Sequence, residues 1–365
     1  SPDHAPLRPG MEAPAHEPWM QRCLDLARKA TGSAAPNPLV GAVLVRNGAL
    51  LAEGWHQAAG GPHAEVACLR AFGDGPIPDD AILYVNLEPC AHHGRTPPCA
   101  DLLIARGVKQ VVVGQRDPFP QVAGKGIQRL VDAGVQVTEN VLLDECRWVQ
   151  RRFLTSIEQG RPYIILKWAR SADGLLDRHP RTERGVQRIS GPATDVLVHR
   201  WRSEEQAIVV GSRTVMNDDP SLTVRHVEGR QPLRVVVDRK GITPASSRVY
   251  SDGHPTLLIT ERQRTDLPVE QLIVEPNTHV ITAVLSALQA RSIRSVLVEG
   301  GAQLLGHFLR EGLWDEARVI HGNVVFGSGT PAPHMNGKPV LSRVYGDDRI
   351  ALFVKEHNPA ATWDM

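Results

Sequence analysis

Apolar and polar positions along this chain follow two different periods. Between Trp19 and Ala30, the residues Met20, Cys23, Leu24 and Ala27 recur at helical spacing, with Gln21, Arg22, Asp25 and Arg28 between them. This predicts an amphipathic helix. Pro36-Asn37-Pro38 cannot continue it. Val40 to Arg46 is a run of β-branched and apolar residues, Asn47-Gly48 is a hairpin-turn signal, and Leu50 to Trp55 returns as the partner strand. Gly60-Gly61-Pro62 then interrupts the pattern. From there the chain alternates: helix His63 to Phe72, strand Ala81 to Asn86, helix Pro98 to Arg106 stopped by Gly107, strand Val108 to Val113, helix Ile127 to Ala133, strand Val135 to Thr138, and one closing helix from Leu142 to Phe153. Alternating strands and helices predict an α/β domain with a sheet covered on both faces.

The polar stretch Ser156 to Pro162 marks a domain boundary, giving domains of residues 18–156 and 162–365 behind a mobile tail of residues 1–17. Beyond it, Tyr163 to Trp168, Ala207 to Val210, Leu233 to Val237, Thr256 to Thr260 and Val296 to Val298 are short apolar strands of the kind found in parallel sheets. Pro192 to Trp201, Ile281 to Ala290 and Ala302 to Leu309 are the helices among them. Asp177 to Arg188 is crowded with arginine and has no period, which predicts a loop.

Composition narrows the functional classes. A chain of 365 residues fits two domains. Lys plus Arg number 41 against 40 for Asp plus Glu. That balance does not support a nucleic-acid partner, which needs a basic surface, but it leaves room for a local basic pocket. No apolar run approaches the ~20 residues of a membrane helix, and residues 1–17 lack the apolar core of a secretory signal. The five cysteines, Cys23, Cys68, Cys90, Cys99 and Cys146, are odd in number and unevenly spaced, which is not a disulfide framework. A reducing, cytoplasmic setting is expected.

The densest chemistry lies between Pro62 and Cys99. It opens Pro62-His63-Ala64-Glu65 and closes Glu88-Pro89-Cys90-Ala91-His92-His93-Gly94-Arg95-Thr96-Pro97-Pro98-Cys99. A His, a Glu two residues on and two later Cys are the parts of a hydrolytic zinc site: three protein ligands, a fourth position for water, and a carboxylate that does not ligate. The metal lowers the pKa of that water to roughly 7. Each candidate ligand falls where a strand ends or a helix begins, the places where sites in open α/β sheets collect. H-x-E followed by P-C and a further Cys is the signature of zinc nucleobase deaminases, although here eight residues separate the two Cys rather than two. The competing reading is a structural zinc knuckle with His92 or His93 as a fourth ligand, which leaves Glu65 without a purpose.

Two clusters stand out in the second half. Val298-Glu299-Gly300-Gly301-Ala302-Gln303 is a strand end, a Gly pair and a helix start. It reads either as a turn or as a place where a phosphate approaches helix N–H groups. It is not the G-x-G-x-x-G dinucleotide fingerprint. Gly211 to Val215, with Asp218 to Arg225, follows Arg202. Arg202 and Arg225 read either as a bidentate phosphate clamp or as solvated surface charges.

Taken together, Pro36-Asn37-Pro38 with Val40-Gly41, His63-Ala64-Glu65, Glu88-Pro89-Cys90 through Cys99, Asp117-Pro118 and Val122-Ala123-Gly124-Lys125-Gly126 resemble the bifunctional riboflavin-biosynthesis deaminase/reductase family. The resemblance covers nearly the whole chain from Trp19. It implies a cytidine-deaminase-like three-layer α/β/α domain followed by a dihydrofolate-reductase-like α/β domain. It implies zinc-dependent hydrolytic deamination of a diaminopyrimidinone carrying a ribosylamino phosphate, then NADPH-dependent reduction of the ribosyl group to a ribityl chain. On that resemblance His63, Cys90 and Cys99 hold zinc. Glu65 takes a proton from the zinc water and returns it to the leaving ammonia. Asn37, His56 and His92 contact the pyrimidine.

In the second domain the resemblance makes Lys167 a candidate for polarising the substrate. Arg202, Leu222, Arg225 and Glu299 contact it, and Arg170, Thr214, Asp218, Gly301, Ala302 and Gln303 contact NADPH. The chain departs from the family at Ala91, often Ser, and at Arg188 within Val186-Gln187-Arg188-Ile189-Ser190, where a Trp often lies by the cofactor. The Arg188 departure motivates an alternative, a deaminase whose C-terminal half binds but does not reduce. A zinc-stabilised binding protein for a nucleotide or RNA is a further alternative, opposed by the near-neutral charge and by Glu65. A homo-oligomer is expected.

Overall fold

The computed structural model describes residues 13–362, which form two compact units dividing after Glu158. In the first, α1 (Ala13–Arg28) leads into β1 (Gly41–Arg46) and β2 (Ala49–Trp55). Then come α2 (Ala64–Phe72), β3 (Ile82–Val85), α3 (Cys99–Ala105), β4 (Gln110–Val113), α4 (Lys125–Asp132), β5 (Gln136–Thr138), α5 (Leu143–Val149) and α6 (Arg151–Gln159). The sheet order is β2-β1-β3-β4-β5. β1 is antiparallel to both neighbours, and β3, β4 and β5 are parallel. Asn47 and Gly48 have φ of 49° and 73°, and Arg46 pairs with Ala49. Two positive φ values are what a type I′ hairpin turn requires.

Strand alternation divides this sheet's side chains between two layers. Ala42, Leu44, Leu83, Val85, Val111 and Val113 pack on α2, α3 and α4 through Ala64, Cys68, Leu69, Ala100, Leu103 and Leu130. Val43, Val45, Tyr84 and Val112 face the other way, onto Met20, Cys23, Leu24 and Ala27 of α1 and Cys146 and Val149 of α5. Gly41 lies where a Cβ would run into the Cys23 carbonyl, so α1 sits directly on the sheet there.

Three expectations need correction here. The helix expected from Trp19 begins at Ala13, so residues 13–17 are not part of a tail; residues 1–12 lie outside the described residues. The anchor at that end is polar: the buried His16 bonds the Tyr84 hydroxyl through Nδ1 at 2.8 Å, which leaves no apolar period to read. The single helix expected from Leu142 to Phe153 is two, divided at Gln150. Gln150 is buried and grips both backbone groups of Leu39, accepting from its N–H at 2.9 Å and donating to its carbonyl. Its successor α6 runs on to Gln159 with Leu154, Thr155 and Ser156 buried, so the polar break begins later than Ser156.

The second unit contains β6 (Tyr163–Arg170), α7 (Pro192–Glu204), β7 (Ala207–Gly211), α8 (Ser212–Asp218), β8 (Leu233–Val237), α9 (Arg248–Ser251) and β9 (Thr256–Thr260). It continues through β10 (Glu270–Ile273), α10 (Val280–Ala290), β11 (Ser295–Gly300), α11 (Ala302–Arg310), β12 (Glu316–His321), β13 (Leu341–Tyr345) and β14 (Asp348–Val354). Its sheet order is β10-β9-β8-β7-β11-β6-β12-β14-β13, parallel from β10 to β12 and antiparallel beyond.

One face of this sheet packs on α10 and α11 through Ile281, Val284, Leu288, Leu304 and Phe308. The other packs on α7 through Leu197, Val198 and Trp201, and around α8 and α9 through Val215, Leu222, Val249 and Tyr250. β12 escapes a pattern search because two of its buried positions are charged: Glu316 accepts from the Tyr163 hydroxyl at 2.6 Å and pairs with Arg318 at 3.1 Å. Among the described residues no helix is long and apolar enough to cross a membrane.

Candidate active site

His63 caps the N-terminus of α2 in extended conformation, Cys90 follows β3 through Pro89, and Cys99 is the first residue of α3. Three element ends therefore meet at one rim. His63 Nδ1 is 3.3 Å from Cys99 Sγ and 3.9 Å from Cys90 Sγ, and the donor atoms of all three lie within 4.8 Å of one another. The Cys99 backbone N–H points at Cys90 Sγ at 3.2 Å. The Cys90 thiol is pulled well below its ordinary value, first by the hydrogen bond from Cys99 and then by His63. The same hydrogen bond, and then burial, push Cys99 the other way.

One nitrogen and two sulfurs, with one thiolate already favoured, suit zinc. Neither His92 nor His93 joins the group, so the four-ligand knuckle has no support among the described residues. Zinc bound there supplies a Lewis acid able to bring a water's pKa near 7. All five cysteines are unbridged.

Glu65 lies in the first turn of α2 and is buried. Burial lifts its carboxyl to about 7, and a hydrogen bond with Cys99 works against that rise.

Beside this rim, His56 Nδ1 lies 2.9 Å from the Pro62 carbonyl, so it donates. The remaining Nε2 accepts from the Asn37 amide at 3.2 Å. The amide of Asn37 is thereby oriented with its Oδ1 turned away from His56. The His56 and His63 rings meet edge to face at 5.9 Å. His92 is exposed on the segment between the two cysteines.

Glu88 was not singled out in the sequence. Its buried carboxylate accepts the N–H groups of Asp117, Gly124 and Ile127 at 2.9–3.0 Å, tying the start of α4 to the strand end that carries Cys90. The available signal was a carboxylate at the end of an apolar strand, next to a ligand.

In the second unit Lys167, on β6, donates to Glu299 Oε1 at 2.7 Å, and Arg202 donates to both oxygens of Glu299 at 3.0 and 3.3 Å. Burial opposes the charge on Glu299, but Arg202 and Lys167 prevail and hold its carboxyl at about 2. Arg202 and Arg225 differ in what holds them. Arg202 is engaged by Glu299, while Arg225 is exposed and bonds Thr223 Oγ1 at 3.0 Å. Burial first, then the charges of Arg202 and Arg248, depress the Arg225 guanidinium. Leu222, with φ of 56°, is buried between Ser221 and Thr223.

Gly300 and Gly301 are joined by a cis peptide at the end of β11, and a Cβ on Gly301 would lie 3.2 Å from Thr214 Oγ1. This close approach brings Thr214 to the start of α11, where Ala302 and Gln303 are the first two helical residues. Asp218 closes α8 and accepts from Arg181 at 2.9 Å, so the arginine-rich loop lies against α8. Arg184 of that loop reaches the Val215 and Met216 carbonyls. Arg170 ends β6, its Nε buried without a hydrogen-bond partner. Arg188 is exposed and paired with Asp195.

Residues 13–115 match the cytidine and deoxycytidylate deaminase zinc-binding region, and residues 162–345 match the RibD C-terminal domain. The chain is 39% identical to the riboflavin biosynthesis protein RibD of Aquifex aeolicus, over 85% of this chain and 88% of that one. It is 38% identical to RibD of Escherichia coli, over 86% and 89%. The solved structure of a diaminohydroxyphosphoribosylaminopyrimidine deaminase/5-amino-6-(5-phosphoribosylamino)uracil reductase from Thermotoga maritima superposes with a TM-score of 0.84 at 34% identity, covering 93% of this chain and 98% of that one. Acinetobacter baumannii RibD gives 0.83 at 34%, covering 94% and 99%. The cytidine-deaminase-like and dihydrofolate-reductase-like halves expected from the sequence are those observed, and the chain belongs to the RibD family of bifunctional riboflavin-biosynthesis deaminase/reductases.

Proposed function

We propose that the chain removes an amino group from a diaminopyrimidinone bearing a ribosylamino phosphate, in its first unit, and reduces the ribosyl group of the product to a ribityl chain, in its second. The observation that carries the first step is the convergence of His63, Cys90 and Cys99 beside the buried, non-ligating Glu65. His63, Cys90 and Cys99 are assigned to zinc. Glu65 receives a proton from the attacking water and delivers one to the leaving nitrogen. Asn37, held by His56, presents its amide to the pyrimidine, and His92 closes over it from the segment between the cysteines.

NADPH supplies the hydride for the second step. The chain's part is to orient and to place charge. Lys167, held by Glu299, directs its ammonium at the sugar and polarises the carbon that accepts hydride. Arg225, with Arg202 nearby, binds the phosphate, since mutually repelling guanidinium groups are relieved by an anion. Leu222 and Glu299 complete the substrate side. Arg170, Thr214, Asp218 and Gly301 to Gln303 form the cofactor side, the Gly pair leaving backbone N–H groups at the start of α11 open to a phosphate.

The test is an assay of the purified chain with the pyrimidine phosphate. Ammonia release without NADPH, and NADPH oxidation only after deamination, are expected. Ammonia release with no NADPH oxidation at any substrate concentration would refute the second step. Metal analysis should return one zinc per chain.

We further propose a cytoplasmic homo-oligomer. The unbridged cysteines fit a reducing compartment. β13 leaves one edge of its sheet unpaired among the described residues and exposes Val344, which favours pairing with another chain. Light scattering after size exclusion checks this, and a monomer at micromolar concentration would count against it.

A further inference from the structure

Helix α7 carries His199 three residues before Arg202, on the same helix face. His199 is 4% exposed. Its Nδ1 accepts from the Arg225 backbone N–H at 2.9 Å and, at 3.4 Å, from that of His226. The His226 ring lies over it with centroids 4.3 Å apart. Its Nε2 is 3.5 Å from Arg202 Nη1.

This imidazole bonds the main chain of Arg225 and lies beside the Arg202 guanidinium without accepting from it. With Nδ1 accepting, the ring proton of the neutral form belongs on Nε2. A second proton would remove the only acceptor available to Arg225 N–H on this ring. Burial first, then Arg202, Arg225 and His226, push His199 down to about 4, against a smaller pull from Glu299. The ring is therefore a neutral acceptor at neutral pH.

We propose that His199 is a positioning residue of the reductase half: its Nδ1 fixes the main chain at Arg225, so that the Arg225 guanidinium is held beside Arg202 for the substrate phosphate. This rests on the reading of Arg202 and Arg225 as phosphate-binding residues. His199 itself does not touch the reacting atoms.

Three variants test it, assayed for NADPH oxidation with the deaminated substrate. His199→Leu keeps bulk and removes the acceptor. His199→Asn places its Oδ1 where Nδ1 lay. Arg225→Ala tests the underlying reading. The Leu variant is expected to raise KM for the phosphorylated substrate by about tenfold, the size of one buried N–H left unpaired. The Ki of inorganic phosphate as a competitive inhibitor should rise in parallel, with KM for NADPH unchanged within about twofold. The Asn variant should stay near the parent enzyme.

A Leu variant with unchanged substrate KM, equal rises for substrate and NADPH, or an Asn variant as impaired as Leu each overturn the proposal. If Leu fails to fold, Asn against Gln decides. Gln carries its amide near Nε2 and should be impaired where Asn is not; equal behaviour overturns the proposal. Arg225→Ala with unchanged substrate KM removes the phosphate reading itself. A large effect there beside a silent His199→Leu removes only the positioning role.

Discussion

Lys167 and Glu299 face each other from adjacent parallel strands, Nζ to Oε1 at 2.7 Å, because Leu166 pairs with Val298 in the preceding register position. Arg202 reaches the same carboxylate from α7. One buried anion thus organises two cations at the C-terminal end of the sheet, where ligands of open α/β sheets bind.

Glu299→Gln leaves Lys167 and Arg202 with no charge to answer theirs. Removing one member of a buried ionic group costs about 3–5 kcal/mol. Urea unfolding of the second unit should show a loss of that order, with NADPH oxidation abolished and ammonia release intact. In the parent, the Glu299 carboxyl sits at about 2, below its ordinary 4.5. Its stabilisation is therefore complete above pH 4.5 and lost as the pH falls toward 2.

His199 gives a second pH dependence. Its folded value, about 4, lies below the ordinary 6.5, so the unfolded chain binds the proton more readily. The stability of the second unit should fall as pH drops from 6.5 toward 4. Denaturation midpoints across that range check this. His199→Asn should flatten the slope, and an unchanged slope would assign it to other groups.

Gly126 lies in the first turn of α4, where a Cβ would collide with the Pro89 carbonyl oxygen. Pro89 precedes Cys90, and Glu88 holds the same helix start through the Gly124 and Ile127 N–H groups. Gly126→Ala should push α4 off the ligand segment and lower both zinc content and ammonia release at least tenfold, a cost of about 1.4 kcal/mol or more. Reduction of deaminated substrate should be spared.

Chelation separates the two activities in another way. The first unit's sheet is packed on both faces by apolar side chains that do not involve the zinc donors. Exhaustive treatment with a chelator should abolish ammonia release, leave circular dichroism and NADPH oxidation with deaminated substrate in place, and be reversed by added zinc. Unfolding of the first unit on metal removal would indicate a structural site instead.

Much of this was legible from residues alone, for identifiable reasons. His63, Cys90 and Cys99 stand out because each is a rare donor type at an element boundary, and the Asn47-Gly48 hairpin follows from turn chemistry that depends on nothing distant. The strands of the second sheet read well where apolar on both faces, as in Leu257 to Ile259. β12 did not, because Glu316 and Arg318 satisfy each other inside the protein. His16, Gln150, Glu88 and His199 escaped for a shared reason: each is a polar side chain whose partner lies far along the chain. Nothing in the local sequence separates such a residue from a solvated one. The Arg202–Arg225 pair shows the converse, since spacing alone did not reveal that Glu299 already held one of the two.

In the proposed deamination Glu65 moves protons at a zinc site it does not ligate. Replacing Glu65 with Gln keeps the side chain's size and removes its ability to exchange a proton. The measurement is ammonia release by Glu65→Gln alongside its zinc content. One zinc per chain is expected, with ammonia release reduced by about 10²–10⁴-fold, the range for a lost general acid/base. Undiminished ammonia release from the zinc-loaded variant would contradict it.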